Sequence, residues 1–237
     1  MELAPGLHRI GNDIVAAYLI VTDEGITVID AGLPGHWNDL QAELRSMGRS
    51  LSDIRGLIAT HGDSDHLGFA ERLRREAAVP VYVHAADAQR ARGGDKPKVT
   101  WGKTRLGPVL GFLGYSIRKG GLRTTWLTDL TEVQDGDELE LPGAPRVIGM
   151  PGHSLGSIAV YSPLVRAVFV GDALTTRNVL TGTAGAAPAP FTDDPDQALA
   201  SLDGIAGLEA DWVLPGHGAP LHAGPREVVA AVRAAAT

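Results

Sequence analysis

Four short apolar runs lead directly into glycine-flanked histidines or aspartates. Leu57-Ile58-Ala59-Thr60 precedes His61-Gly62-Asp63-Ser64-Asp65-His66, and Val147-Ile148-Gly149-Met150 precedes Pro151-Gly152-His153. Val168-Phe169-Val170 precedes Gly171-Asp172, and Trp212-Val213-Leu214 precedes Pro215-Gly216-His217. In open α/β sheets ligand sites gather beyond strand ends, and glycine lets the backbone turn sharply there. His61, His66, His153 and His217 offer four imidazoles; Asp63, Asp65 and Asp172 offer three carboxylates. That donor set suits two divalent first-row ions and is too large for one tetrahedral ion. A lone Pro-Gly-His would ordinarily just cap a turn. Four such junctions in matching strand contexts argue for a shared site.

The 237-residue chain contains no cysteine. This excludes disulfides, a thiol nucleophile and every thiolate metal site. Any metal must be held by imidazole and carboxylate, and metal-activated water is the nucleophile such a set can supply at neutral pH.

The elements that must position these residues follow from periodicity. Residues 15–21 and 26–29 read as paired strands, and 56–60 and 79–83 as buried ones. Leu40, Leu44 and Met47 recur at helical spacing with Gly48 at the stop, and Leu67, Ala70, Leu73 and Ala77 share another helical face. In the second half, strands are expected at 146–150, 157–161, 167–170 and 211–214. Helices are expected at 195–208 and 225–235, each opened by a proline. Residues 183–190, rich in Ala, Gly and Pro, read as a loop. Alternating strands and helices over this length predict one α/β domain covering residues 1–237.

One segment departs in composition. Residues 88–126 contain nine basic side chains and a single acid, Asp95, for a charge of +8; the rest of the chain carries twelve basic and 27 acidic residues, or −15. All four lysines lie in this segment, with Trp101, Phe112, Tyr115 and Trp126. Leu106, Val109, Leu110 and Leu113 have helical spacing, while Gly107, Pro108, Gly111 and Gly114 should weaken that helix. An insertion at about 88–130, serving as a lid, is the expectation.

The sequence resembles the metallo-β-lactamase fold hydrolases over nearly its whole length. The resemblance is carried by residues 3–10, by Ile26-Thr27-Val28-Ile29-Asp30-Ala31-Gly32, by residues 133–139, and above all by T-H-G-D-S-D-H-L-G at 60–68 in order with His153, Asp172 and His217. It implies a four-layer αβ/βα sandwich with metals at one edge between two central sheets. By position, it also implies that His61, Asp63 and His153 hold a first metal and Asp65, His66 and His217 a second, with Asp172 bridging them. The commonest family pattern, H-x-H-x-D-H, has histidine where this chain has Asp63. The filled site is then one charge unit less positive, which moves preference toward harder ions. The cofactor expectation is two divalent ions, zinc first, with manganese or iron as alternatives.

The expected activity is attack by a metal-bridging hydroxide on an ester, lactone, thioester or phosphoester of an anionic small molecule. Asp65 and Asp172 are its catalytic carboxylates, with Asp65 orienting the hydroxide. Trp101, Lys103, Arg105, Phe112 and Tyr115 of the lid, together with His36, are the candidate substrate contacts. Two readings stay open beside it: a mononuclear-iron oxidoreductase of the persulfide dioxygenase type, and a non-catalytic ligand-binding member. The acidic balance argues against nucleic-acid partners, and the longest apolar stretch, residues 14–21, is far too short to span a bilayer. A cytoplasmic protein without stable membrane association is expected, with the insertion available for homo-oligomer contacts.

Overall fold

The computed structural model describes residues 1–95 and 103–236. Its first sheet begins with an antiparallel meander of β1 (Glu2–Ala4), β2 (Leu7–Gly11), β3 (Ala16–Thr22) and β4 (Gly25–Ile29). It continues in parallel through β5 (Ile54–Ile58), β6 (Val81–His84) and β7 (Thr131–Val133). The second sheet has β8 (Arg146–Gly149), β9 (Ile158–Ser162), β10 (Ala167–Gly171) and β13 (Trp212–Pro215) in the order β13-β10-β9-β8.

Strand alternation places each sheet between two apolar layers. On β3, Tyr18 and Ile20 point into the space between the sheets, where Ile29, Ile58, Val160, Phe169 and Leu214 meet them. Ala17 and Leu19, on the other face, pack against α1 (His36–Ser46) and α2 (Ala70–Ala77) through Leu40, Leu44 and Leu73. The second sheet is covered likewise: Val168 and Val170 of β10 meet Leu202, Ile205, Val228 and Val232. Those residues come from the region of α5 (Pro195–Ser201) and α6 (Asp203–Ala206) and from α7 (Pro225–Ala236). The result is the expected four-layer αβ/βα sandwich.

Within the second sheet, β8, β10 and β13 all run antiparallel to β9 or parallel to one another, so their C-terminal ends share one edge. The C-terminal end of β5 is tied to that edge, because Ile158 N donates to Thr60 O at 2.8 Å. All four junctions singled out in the sequence therefore open onto the same rim.

Three local expectations change. The helix expected at 195–208 divides into α5 and α6 at Leu202. Part of the expected loop at 183–190 forms β12 (Ala184–Ala187), paired with β11 (Thr175–Arg177). The insertion contributes α3 (Ala88–Ala91) and a full 13-residue α4 (Leu106–Arg118) despite its glycines. Pro108 lies in the first turn of α4, where backbone N–H groups have no intrahelical partner to lose. Tyr115 anchors the helix in a small cluster with Val15 and Leu33. Among the described residues no helix is long and apolar enough to cross a membrane.

Candidate metal centre

The turn after β5 delivers His61, Asp63, Asp65 and His66, while His153 lies between β8 and β9. Asp172 directly follows β10 and His217 follows β13. Their ligand atoms fall into three overlapping groups: His61, Asp63 and His153; Asp65, His66 and His217; and His61, His66 and Asp172. Within each group all atoms lie within 4.8 Å of one another.

The separations are informative. Asp63 Oδ2 is 3.6 Å from His61 Nε2 and 3.4 Å from His153 Nε2. Asp172 Oδ1 is 3.5 Å from His66 Nε2, and Oδ2 is 3.2 Å from His217 Nε2 and 3.8 Å from His153 Nε2. Asp65 Oδ2 is 3.5 Å from His217 Nε2. Most of these are too long for good hydrogen bonds. They match the edge of a tetrahedron around an ion with bonds of about 2.1 Å, which is about 3.4 Å.

Every imidazole is also held by its other nitrogen. His66 Nδ1 lies 2.8 Å from Asp30 Oδ2, and His61 Nδ1 lies 3.1 Å from Thr60 Oγ1. His153 Nδ1 faces Thr192 Oγ1 at 3.3 Å, and His217 Nδ1 donates to the carbonyl of Ile14. Thr60 Oγ1 gives its one proton to Asp30, so it accepts from His61 Nδ1–H. This arrangement aims Nε2 of each ring at the cluster with its lone pair free, as a metal ligand requires. The Nε2 atoms of His61, His66 and His153, and Oδ1 of Asp172, are buried without a hydrogen-bond partner among the described residues. Orphaned buried polar atoms are costly, and a cation supplies the missing partner. The residues fit two divalent ions.

Burial alone would raise the Asp172 pKa, but His217 and His66 hold it well below the carboxylate range. Burial would lower His66, but Asp30 and Asp172 raise it well above the usual histidine value, so a metal binding at Nε2 must displace a proton there. Close packing explains one flanking glycine: a β-carbon at Gly216 would meet His66 Cε1 at 2.4 Å and Asp172 Oδ1 at 2.8 Å.

Two buried aspartates that the sequence reading assigned no role organise the loops. Asp30 also accepts the Thr60 amide at 2.7 Å. Asp87 accepts from Gly62 N and Ser154 Oγ, each at 2.7 Å, and from Gly156 N at 2.8 Å, tying the His61 loop to the His153 loop. Arg90, counted in the sequence only as one of the insertion's cations, donates Nε to Asp63 Oδ1 at 2.6 Å and Nη2 to Oδ2 at 3.0 Å. Its Nη1 reaches Asp193 Oδ2 at 2.9 Å.

The expected substrate contacts divide. Phe112 lines the cavity above the cluster, its ring centroid 6.3 Å from that of His217. His36 is fully buried: its Nδ1 accepts from Leu33 N at 2.9 Å, and its Nε2 is 2.7 Å from the Tyr115 hydroxyl. These two residues lock α4 onto the start of α1, and neither lines the cavity above the cluster. Lys103 borders a neighbouring hollow beside Leu180 and Phe191, and the exposed Arg105 lines neither that hollow nor the cavity. Trp101, Lys96 and Lys98 lie outside the described residues.

The family model of the metallo-beta-lactamase superfamily matches residues 10–217. The chain belongs to that superfamily. The probable metallo-hydrolase YflN of Bacillus subtilis is 27% identical over 93% of this chain and 86% of its own length. Human acyl-coenzyme A thioesterase MBLAC2 is 28% identical over 68% of this chain, which spans 54% of that protein. Among solved structures, a metallo-beta-lactamase family protein of Thermus thermophilus superposes with a TM-score of 0.70 at 22% identity, covering 97% of this chain and 78% of that one. Metallo-beta-lactamase SMB-1 gives 0.70 at 19%, covering 98% and 91%. At these identities the structural likeness speaks for the superfamily fold, and the family membership makes the chain a metal-dependent hydrolase.

Proposed function

We propose that this superfamily member hydrolyses an ester or thioester with an apolar acyl group, using two divalent ions with zinc as the working metal. The observation that carries the reading is the cavity over the cluster. It has a volume of about 370 Å³, a floor that includes Asp65, Asp172 and His217, and a wall of Phe112, Leu113, Ile117, Leu122, Trp126 and Phe191. Metal-ligand side chains at the base and aromatic and aliphatic ones above suit a scissile carbonyl at the floor and a hydrocarbon chain against the wall.

Among the described residues, the cations of the insertion do not line this wall, apart from Arg90, which is already engaged by two carboxylates. Lys119 is paired with Asp39 at 2.6 Å. Asp95 is itself at the cavity. The described wall thus supports an apolar acyl group on the substrate. That human MBLAC2 is an acyl-coenzyme A thioesterase supports the reading.

In this proposal His61, Asp63 and His153 hold one ion, Asp65, His66 and His217 the other, and Asp172 both. Bound there, the ions supply Lewis acidity and a water acidic enough to attack at neutral pH. The protein's own part is orientation: Asp30, Thr60, Thr192 and the Ile14 carbonyl fix the four rings, and the α4 wall excludes water from the acyl chain. Asp65 and Asp172 face the floor as its catalytic carboxylates. A cytoplasmic setting and a small-molecule substrate belong to the same proposal.

The test is a series of p-nitrophenyl and coenzyme A esters of increasing acyl length, with a phosphodiester as comparison. Each methylene buried is worth about 0.8 kcal/mol, so kcat/KM should rise about fourfold per carbon until the cavity is filled. A preference for the phosphodiester, or for the shortest acyl group, would contradict the proposal.

A further inference from the structure

The fork of Arg90 closes on both oxygens of Asp63, and its remaining amino group on Asp193. The side chain of Arg90 is 6% exposed. A β-carbon at Gly62 would meet Arg90 Cβ at 2.9 Å and Ala91 N at 2.8 Å, so the ligand loop lies directly on α3. Asp193 N in turn donates to His153 O at 3.1 Å. One guanidinium thus joins the Asp63 loop to the segment that braces His153. Of the two Asp63 oxygens, Oδ2 faces His61 and His153, whereas Oδ1 carries the short bond to Nε.

We propose that Arg90 keeps Asp63 a one-oxygen, partly charge-compensated ligand and so sets the ion preference of the first site. Arginine is always charged and its planar fork matches a carboxylate on both oxygens. The guanidinium offsets part of the additional negative charge of Asp63, its remaining amino group being shared with Asp193. Oδ1 is turned to Nε, whereas Oδ2, which also accepts from Nη2 at 3.0 Å, keeps a second lone pair toward His61 and His153 and is the oxygen placed to coordinate. Zinc sites are typically four-coordinate, whereas manganese favours more oxygen ligands. Freeing Oδ1 would let Asp63 chelate with both oxygens and raise the coordination number, favouring manganese. Arg90 thereby offsets the pull toward hard ions that an aspartate at this position otherwise exerts. Arg90 touches no reacting atom; it is a positioning residue.

The inference rests on Asp63 being a metal ligand. The experiment titrates metal-free protein with zinc and with manganese against a chromophoric chelator, and records the visible spectrum of the cobalt-loaded form. The equivalent lost in Asp63→Ala marks the first site. In Arg90→Met the zinc-over-manganese preference of that site should fall by at least about tenfold, and its cobalt bands should weaken as coordination number rises. Arg90→Lys preserves charge and most of the volume but cannot hold both oxygens, so the same shift is expected there even if Arg90→Met does not fold. In the Asp63→His background, Arg90→Met should leave the preference within about twofold, because histidine has no second oxygen to free. Equal loss of zinc and manganese affinity with an unchanged cobalt spectrum would overturn the proposal and reduce Arg90 to packing. Retention of both equivalents in Asp63→Ala would overturn the ligand assignment itself, an outcome distinct from the first.

Discussion

Asp30 Oδ2 lies 2.8 Å from His66 Nδ1, while the other oxygen of the same carboxylate accepts the amide of Thr60, the residue before His61. One buried side chain therefore orients a proposed ligand of the second metal and positions the strand end that carries the first. Asp30 itself has a left-handed backbone, φ 60°, directly after β4. Asp30→Asn should weaken metal binding about 10- to 100-fold, read by chelator competition. Wild-type affinity in this variant would remove Asp30 from the account.

Asp87 does the corresponding work between the two halves. Three donors from the His61 and His153 loops converge on it. Asp87→Ala leaves them buried without an acceptor and should cost about 3 kcal/mol or more, measured by urea unfolding of the metal-free protein. A loss below about 1 kcal/mol would mean the loops are held by other contacts.

The buried His36 makes the docking of α4 sensitive to acid. Burial, with Lys119 adding to it and Asp39 opposing it, lowers its pKa from 6.5 to about 4. The state that releases His36 therefore takes up a proton first as the pH falls. The stabilisation is whole above pH 6.5 and is lost progressively toward pH 4, up to a limit of about 3 kcal/mol. His36→Gln should flatten the pH dependence of unfolding across that interval. An unchanged slope would assign the acid sensitivity elsewhere.

Leu113 and Ile117 occupy one face of α4 at a spacing of four and line the cavity wall. Leu113→Ser with Ile117→Ser should reduce kcat/KM for long acyl esters by more than about tenfold, since each lost aliphatic contact is worth about 1–2 kcal/mol. Acetyl esters should be barely affected. Equal losses on short and long esters would detach α4 from substrate selection.

The seven residues of the cluster were readable as a set because each follows a strand whose apolar pattern is local, with glycines marking the turn. Their long-range supports were not readable. Asp30, Asp87 and Arg90 act on residues 25 to 103 positions away, and nothing in their immediate sequence marks them as buried. The chemical type of a residue likewise does not tell which way it faces: His36 and Tyr115 suit a binding site by type, yet the pair closes on itself beneath α4. Composition likewise does not tell which residues line a cavity. The insertion is basic, and among its described residues the cavity face is made chiefly by apolar side chains at helical spacing. Glycine propensity underestimated α4 because Gly107, Gly111 and Gly114 face open space, and packing of Tyr115 and Phe112 secures the helix.

In our proposal these seven side chains form a two-metal hydrolytic centre with Asp172 shared by both ions. Elemental analysis of the purified protein, paired with ester turnover, checks this. Wild type should hold two divalent ions per chain, and Asp172→Ala should lose metal together with essentially all activity. A single redox-active iron in wild type, or full turnover by an Asp172→Ala protein that still binds two ions, would contradict it.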